Sequence, residues 1–197
     1  MANCFCCLRN WIWGGSGSNS GRDAQAEQPS VRLDTSHMGS DVVIVKNCRR
    51  ICGTGAALAN APIVQDKAYF EIKLQSTGIW GVGLATKKCN LNTVPLGTTT
   101  ESWVVRQDGT LYHNNEERGK LKEVPQEGDL LGLSYDHVTL NFYLNGKQLD
   151  TSFTGIKGTI YPVCYVDEGA ILDVQFSCFF HEPPEGYNKI MIEQSLL

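Results

Sequence analysis

The sequence predicts an all-β fold, an antiparallel β-sandwich, and three observations support this prediction. Apolar and polar residues alternate in several short segments, which is the pattern of strands that bury one face. Glycine is abundant, with 20 residues against 7 prolines, as expected of a chain with many tight turns. Ten or more short strands with no helical period of any length are typical of a sandwich.

The segment from residue 128 to residue 147 shows the strand pattern most clearly. Leu130–Tyr135 is predicted as one strand, and Asp136-His137 fits the connection to the next. Asn145-Gly146 readily supplies the left-handed backbone conformations of a reversing turn. In the second strand, four apolar residues recur at every second position, and we expect them to share one buried face: Val138, Leu140, Phe142 and Leu144.

Residues 68–86 predict two further strands. Phe70, Ile72 and Leu74 alternate with Glu71, Lys73 and Gln75, as in a half-buried strand. Gly78 reverses the chain, and residues 79–84 return as a nearly all-apolar central strand that contains Trp80, an expected core residue. Since Gly81 and Gly83 fall on the same face, we expect a bulky group to pack closely over them.

The remaining strands are assigned from shorter patterns. Before residue 60 we expect a strand at Val42–Val45, a return strand at Arg49–Cys52, and a loop at Gly53–Asn60, whose sequence GTGAALAN lacks alternation. After residue 100, we expect strands at Ser102-Trp103, Thr110–Asn114, Ile160–Val166 and Ile171–Phe176. Turns are expected at Asp108-Gly109 and Asp167–Gly169. The apolar residues 190–192 are expected to pack back on the sheet. The longest irregular segment, Lys87–Glu101, is where recognition usually occurs on a rigid scaffold.

Three of these segments resemble the SPRY domain family. They are the stretch from Gly128-Asp129 to FYLNGK at residues 142–147, AYFEIKLQSTGIWGVGLAT at residues 68–86, and YPVCYVDEGAILDVQFS at residues 161–177. The resemblance covers roughly residues 31 to 192. It implies a SPRY-type, concanavalin-like antiparallel β-sandwich that works as a non-catalytic adaptor and recognises a protein or peptide segment.

In that family, loops at one end of the sandwich grip the partner. The matching segments are Gly53–Ala61, Lys88–Glu101 and Asp167–Ala170. The candidate partner-binding residues are therefore Thr54, Ala56, Asn60, Asn92, Pro95, Leu96, Asp167 and Glu168. Asn92 stands where peptide-binding relatives carry a tyrosine, and their Val-Trp-Gly sequence has no counterpart beside Asp167. Both departures argue against binding of the asparagine-rich peptides that those relatives take.

Residues 1–28 differ in composition from the rest and predict a flexible, disordered tail. Cys4, Cys6 and Cys7 lie among apolar residues, and Gly14–Gly21 is a flexible linker by composition. A cluster of cysteines among apolar residues, joined to the domain by a linker, makes these three candidates for S-acylation. Two acyl chains would give stable membrane attachment. The alternative is a tail with incidental cysteines. Ala2 excludes N-myristoylation, and the close spacing disfavours a zinc site.

Composition and charge narrow the class of protein. A net charge of −4 and a pI near 5.6 argue against nucleic-acid binding. No apolar run approaches the roughly 20 residues that span a bilayer, and no signal peptide is evident. We therefore expect a cytoplasmic monomer, peripheral at a membrane if the tail is acylated, with its eight cysteines as reduced thiols.

Catalysis is not expected. His113 is followed by Glu116 and Glu117, but neighbours along a turn do not form a catalytic constellation, so a surface or hydrogen-bonded structural role is favoured. We expect no cofactor and no metal, because no calcium-ligand spacing occurs. A glycan-binding or small-ligand protein, an enzyme on the same sandwich, and a structural subunit of a larger assembly remain the alternatives. The domain is assigned to residues 31–192, with residues 193–197 as a C-terminal end.

Overall fold

The computed structural model describes residues 30–192, in which all regular structure is β. The tail predicted at residues 1–28, with its cysteines, and the end at residues 193–197 lie outside the described residues. The first seven strands are β1 (Leu33–Met38), β2 (Asp41–Val45), β3 (Arg50–Ala59), β4 (Ala68–Ser76), β5 (Ile79–Ala85), β6 (Ser102–Arg106) and β7 (Thr110–His113). The next seven are β8 (Glu116–Lys120), β9 (Leu130–Tyr135), β10 (Thr139–Leu144), β11 (Lys147–Thr154), β12 (Tyr161–Asp167), β13 (Ile171–Gln175) and β14 (Asn188–Lys189).

The strands form two sheets, and the predicted all-β, antiparallel architecture is confirmed. Sheet A has the order β1-β3-β12-β5-β6-β7-β8, and sheet B has the order β2-β3-β13-β4-β9-β10-β11. Every pairing is antiparallel except that of β14 with the first residues of β4. Among residues 30–192 there is no helix that could cross a membrane.

Strand β3 belongs to both sheets and corrects the loop predicted at Gly53–Asn60. Its first residues pair with β2 and β13 in sheet B, whereas Gly55–Leu58 pair with β12 in sheet A. The change of sheet occurs where Gly53 and Gly55 have φ values of 90° and 128°, which a side chain would not tolerate. The segment lacked alternation because its second half is buried on both faces.

The core between the sheets follows the predicted alternation in most strands. Leu140 and Phe142 are fully buried, and burial of one such side chain contributes about 1.5–3 kcal/mol. Leu172, Val174, Phe176 and Trp80 also face this core. Two assignments were wrong. Val138 is 67% exposed, because the connection after β9 includes it, and Glu71 is fully buried on the outer face of sheet B.

The strands run up and down between two ends of the sandwich. The Asp167 end, as we call it, holds the bend of β3 and the connections that follow β1, β4, β6, β8, β10 and β12. The Ser30 end holds the first described residues and the connections after β2, β3, β5, β7, β9 and β11. This division decides which of the predicted loops can act together.

Candidate partner-binding surface

The long segment between β5 and β6, residues 86–101, lies against the outer face of sheet A. Cys89 and Leu96 of this segment are buried. They complete a second hydrophobic cluster, separate from the core between the sheets, which consists of Ala56, Leu58, Ala85, Cys89, Leu96, Val104, Tyr161, Val163 and Tyr165. The segment is therefore part of the packed domain, and its exposed residues are held in fixed positions.

Backbone contacts fasten the middle of this segment to β3. The Leu91 carbonyl accepts the Ala56 N–H at 2.8 Å. A Cβ atom on Gly39 would lie 2.6 Å from the Leu91 oxygen, and one on Gly55 would lie 3.1 Å from it. Glycine at these two positions therefore lets the segment reach the sheet.

Arg106, at the end of β6, holds the later part of the same segment. Its Nη2 donates to the Leu96 carbonyl at 2.8 Å and its Nε donates to the same oxygen at 3.2 Å. The guanidinium carbon lies 3.5 Å from the centroid of the Tyr112 ring, a cation–π contact. Nothing in the sequence indicates this role, since Arg106 is simply the polar residue that ends the apolar strand β6.

Two of the three predicted loops meet at the Asp167 end. The Thr54 hydroxyl donates to Asp167 Oδ1 at 2.9 Å, and the Glu168 N–H donates to the same oxygen at 2.9 Å. Glu168 has a φ of 47° and Gly169 a φ of 84°, as the predicted turn after β12 requires. Glu168 is exposed and Asp167 half-buried, so both carboxylates are presented near the bend of β3.

The long segment reaches the same place through Asn92. Asn92 Oδ1 accepts the backbone N–H of Ser40 at 2.8 Å and the Ser40 hydroxyl at 3.2 Å. The next residue, Asp41, is exposed and stands opposite Thr54 in the pairing of β2 with β3. We call this surface the Asp167 corner: Ser40, Asp41, Thr54, Asn92, Asp167 and Glu168. Ser40 and Asp41 were missed from the sequence because nothing there showed which turn Asn92 contacts.

The other predicted site residues do not belong to the corner. Ala56 is fully buried and Leu96 is 3% exposed, so neither can contact a partner in this conformation. Asn60 lies at the Ser30 end, where its side chain accepts the Arg32 N–H and donates to the Ser30 carbonyl. Pro95 is half-buried in the long segment. The assignment of Ala56 and Asn60 rested on a loop that is a strand.

Tyr165 lies beneath the long segment and covers Gly81. A Cβ atom on Gly81 would be 2.3 Å from the Tyr165 ring, which confirms the expected bulky neighbour. Gly83 is approached instead by the Trp103 carbonyl, at 2.0 Å from a Cβ position. Burial raises the pKa of the Tyr165 hydroxyl. Among the described residues no group meets this hydroxyl at full hydrogen-bond geometry, although the nearby Arg106 opposes the effect of burial on its pKa.

His113 is a structural residue of sheet A. Its Nδ1 lies 3.0 Å from the Ser102 carbonyl oxygen, and its ring stacks on Trp103 with 4.5 Å between centroids. An open cleft of about 320 Å³ adjoins this pair and is lined also by Arg118 and residues 152–155. Residues 30–192 contain no group of histidine, cysteine and acidic side chains arranged to hold a metal ion.

The comparison with known protein families agrees with this architecture. The SPRY domain profile matches residues 67–179. The chain belongs to the SPRY domain family. SPRY domain-containing protein 7 from Bos taurus is 58% identical over 197 residues, covering 99% of this chain and 98% of that protein. SPRY domain-containing SOCS box protein 3 from Xenopus laevis is 28% identical over 141 residues, 64% of this chain and 39% of that protein.

Solved structures show the same SPRY fold. The SPRY domain of human HERC1 superposes with a TM-score of 0.62 at 18% identity, covering 73% of this chain and 96% of that one. SPRY domains are commonly protein-interaction modules, and the family is generally non-catalytic. The resemblance noted in three separate segments of the sequence is therefore confirmed.

Proposed function

We propose that this chain is a non-catalytic adaptor that recognises a protein or peptide segment at the Asp167 corner. The convergence of four separate segments on one exposed polar surface carries this proposal. Thr54 contacts Asp167, and Asn92 contacts Ser40 beside them. Both contacts rest on a packed scaffold, so a partner would meet a pre-formed surface, which lowers the entropic cost of binding.

The charge of the corner selects the chemistry of the partner. Asp41, Asp167 and Glu168 supply carboxylates, and the Asn92 side-chain amide supplies N–H donors, since its oxygen already accepts two hydrogen bonds from Ser40. Arg106, which ends β6 at the same end of the sandwich, is occupied by the Leu96 carbonyl and the Tyr112 ring. A segment that carries arginine or lysine and exposed backbone N–H groups would complement this surface.

Charge reversal at the corner tests the proposal. Full-length wild-type protein and a Glu168→Lys variant are used as baits in crosslinking pull-downs from cells. The amount of partner recovered with Glu168→Lys is expected to be at least tenfold lower than with wild type. The matched control is Asp66→Lys, which makes the same charge change at an exposed position of the Ser30 end. If both variants recover the partner as efficiently as the wild type, the binding site lies elsewhere.

The second part of the proposal concerns location. We propose that Cys4, Cys6 and Cys7 are S-acylated and hold the adaptor at a cytoplasmic membrane surface. The close spacing of the three cysteines beside apolar residues supports this. A thiol-cleavable fatty-acyl label is expected on wild type and not on the variant with all three cysteines changed to serine. Absence of label on wild type contradicts the tether and leaves the partner-binding proposal intact.

A further inference from the structure

The exposed charges of this domain are divided between its two ends. At the Ser30 end, eight basic residues are exposed in turns or at strand ends: Arg32, Lys46, Arg49, Lys67, Lys87, Lys88, Lys157 and Lys189. At the Asp167 end, the exposed acidic residues are Asp41, Asp108, Glu123, Glu127, Asp150 and Glu168, against Lys120, Lys122 and Lys147. The net charge of the chain, −4, conceals this separation.

Most acidic side chains at the Ser30 end are turned to internal contacts. Asp173 accepts Arg50 Nη2 at 2.8 Å, and Asp136 accepts the N–H groups of Val138 and Thr139 at 3.0 and 2.7 Å. Asp34 bonds His37, and Glu101 bonds the Thr86 hydroxyl. The exposed acids here are Asp66 and Glu185, with Glu116 and Glu117 beside Arg118 at the far edge of sheet A. The surface left to solvent is therefore basic.

The tail joins the domain at this basic end. Ser30 and Arg32 are tied to Asn60 by hydrogen bonds of 3.2 and 3.0 Å. The first described residue, Ser30, therefore lies at the same end of the domain as Lys87 and Lys88. A domain whose basic end faced a bilayer would present the Asp167 corner on the far side, because the two surfaces lie at opposite ends of the sandwich.

A cleft of about 300 Å³ opens at the same end. Its lining includes Lys87 and Lys88, together with Thr86, Glu101, Gly158, Thr159 and Tyr161. The Lys87 ammonium lies 5.3 Å from the centroid of the Tyr161 ring. The two lysine ammonium groups and the Thr159 hydroxyl at this cleft can donate hydrogen bonds to a phosphate group. Glu101, the acidic residue of the lining, is engaged by the Thr86 hydroxyl.

We infer that the basic Ser30 end is a docking face for an anionic lipid surface. The inference extends the proposed membrane tether: the cysteines would supply the anchor, and the basic end would supply electrostatic attraction and orientation. Each basic side chain near an anionic bilayer adds to the attraction, which falls off within a Debye length. One or two acyl chains and a basic patch together give a stable attachment where one signal alone is marginal.

The test uses full-length protein with Cys4, Cys6 and Cys7 changed to serine, so that acylation plays no part. Binding to phosphatidylcholine vesicles, with and without 30% phosphatidylserine, is measured by cosedimentation at 50 mM and at 500 mM salt. We expect at least tenfold stronger binding to the phosphatidylserine vesicles at low salt, and loss of that preference at high salt. We expect Lys87→Glu with Lys88→Glu to weaken binding to these vesicles tenfold or more.

The matched control is Lys120→Glu with Lys122→Glu, which makes the same change of net charge at the Asp167 end. It should bind phosphatidylserine vesicles as the parent does, and thermal unfolding should show that all three proteins are folded. Equal weakening by the two variants, or no preference for phosphatidylserine, overturns the inference. Either result leaves the tests of acylation and of the Asp167 corner unaffected, because those use other residues and other readouts.

Discussion

Glu71 Oε1, fully buried on the outer face of sheet B, accepts the backbone N–H of His181 at 3.0 Å. Its Oε2 accepts the N–H of Phe180 at 2.6 Å, and the Tyr69 hydroxyl donates to Oε1 at 3.1 Å. Burial, with the charge of Glu71 beside it, raises the pKa of Tyr69. One carboxylate thus holds residues 180–181 over sheet B.

Replacement of Glu71 by glutamine should loosen the segment after β13. The amide N–H₂ would face one of two backbone donors, leaving a buried donor without an acceptor. We expect a loss of about 1–3 kcal/mol in the free energy of unfolding, measured by urea denaturation, and faster proteolysis after residue 176. Glu182→Gln, at an exposed position of the same segment, should change neither. Equal stability of Glu71→Gln and wild type would contradict the assigned role.

Gly81→Ala should disturb the packing beneath the long segment. The new Cβ would lie 2.3–2.7 Å from the Tyr165 ring and hydroxyl, and Tyr165 is fully buried. Overpacking of this kind costs about 1–3 kcal/mol, measurable by urea denaturation. In Gly119→Ala the Cβ would meet only Thr151 Cγ2, at 2.9 Å, a side chain that can turn away. A loss as large in Gly119→Ala as in Gly81→Ala would exclude Tyr165 as the cause.

Tyr165→Phe should be neutral or stabilising. The buried Tyr165 hydroxyl has no hydrogen-bond partner at full geometry among the described residues, so its removal relieves an uncompensated desolvation cost and keeps the ring that covers Gly81. We expect a change in unfolding free energy between 0 and about +1 kcal/mol. Destabilisation by more than about 1 kcal/mol would show that the hydroxyl does have a hydrogen-bond partner, for which Arg106 is the candidate donor.

The sequence predicts strands well wherever one face is buried and the other is wet. Leu140 and Phe142 show this, since alternation alone placed them in the core. Prediction of strands from the sequence fails where both faces of a strand are buried. Ala57 packs between the sheets while Ala56 lies under the long segment, so residues 53–59 contain small residues without a period of two and resemble a loop.

The same limit explains the mixed result at the candidate site. Turn-forming residues located the turn at Asp167-Glu168, because Gly169 punctuates the chain there. Contacts between distant segments leave no such local mark. Neither the 2.8 Å bond from Ser40 to Asn92 nor the burial of Glu71 by Phe180 and His181 could be read from neighbouring residues.

Asp173 should make stability depend on acidic pH. Its burial tends to raise the pKa of the carboxyl, but the hydrogen bond and charge of Arg50, with Lys46 nearby, lower it overall. A lowered folded-state pKa stabilises the protein above the unfolded value of about 3.9, and this contribution is lost as the pH falls through the folded pKa. Asp173→Asn should therefore cost about 1–3 kcal/mol at pH 7 and less at pH 3, in urea titrations at each pH. A difference that stays constant with pH would contradict the ion pair.

Thiol reactivity should separate the cysteines of the domain by burial. Cys164 is 2% exposed, and burial raises its pKa to about 12, whereas Cys178 is exposed. Disulfide reagents react with an accessible thiolate, so at pH 8 we expect Cys178 to react much faster than the buried Cys164. The measurement uses protein with Cys4, Cys6 and Cys7 changed to serine and follows each site by mass spectrometry. In 8 M urea, where burial is lost, the two rates should become similar. Rapid labelling of Cys164 under native conditions would mean that β12 opens to solvent, and with it the sheet that positions Asp167.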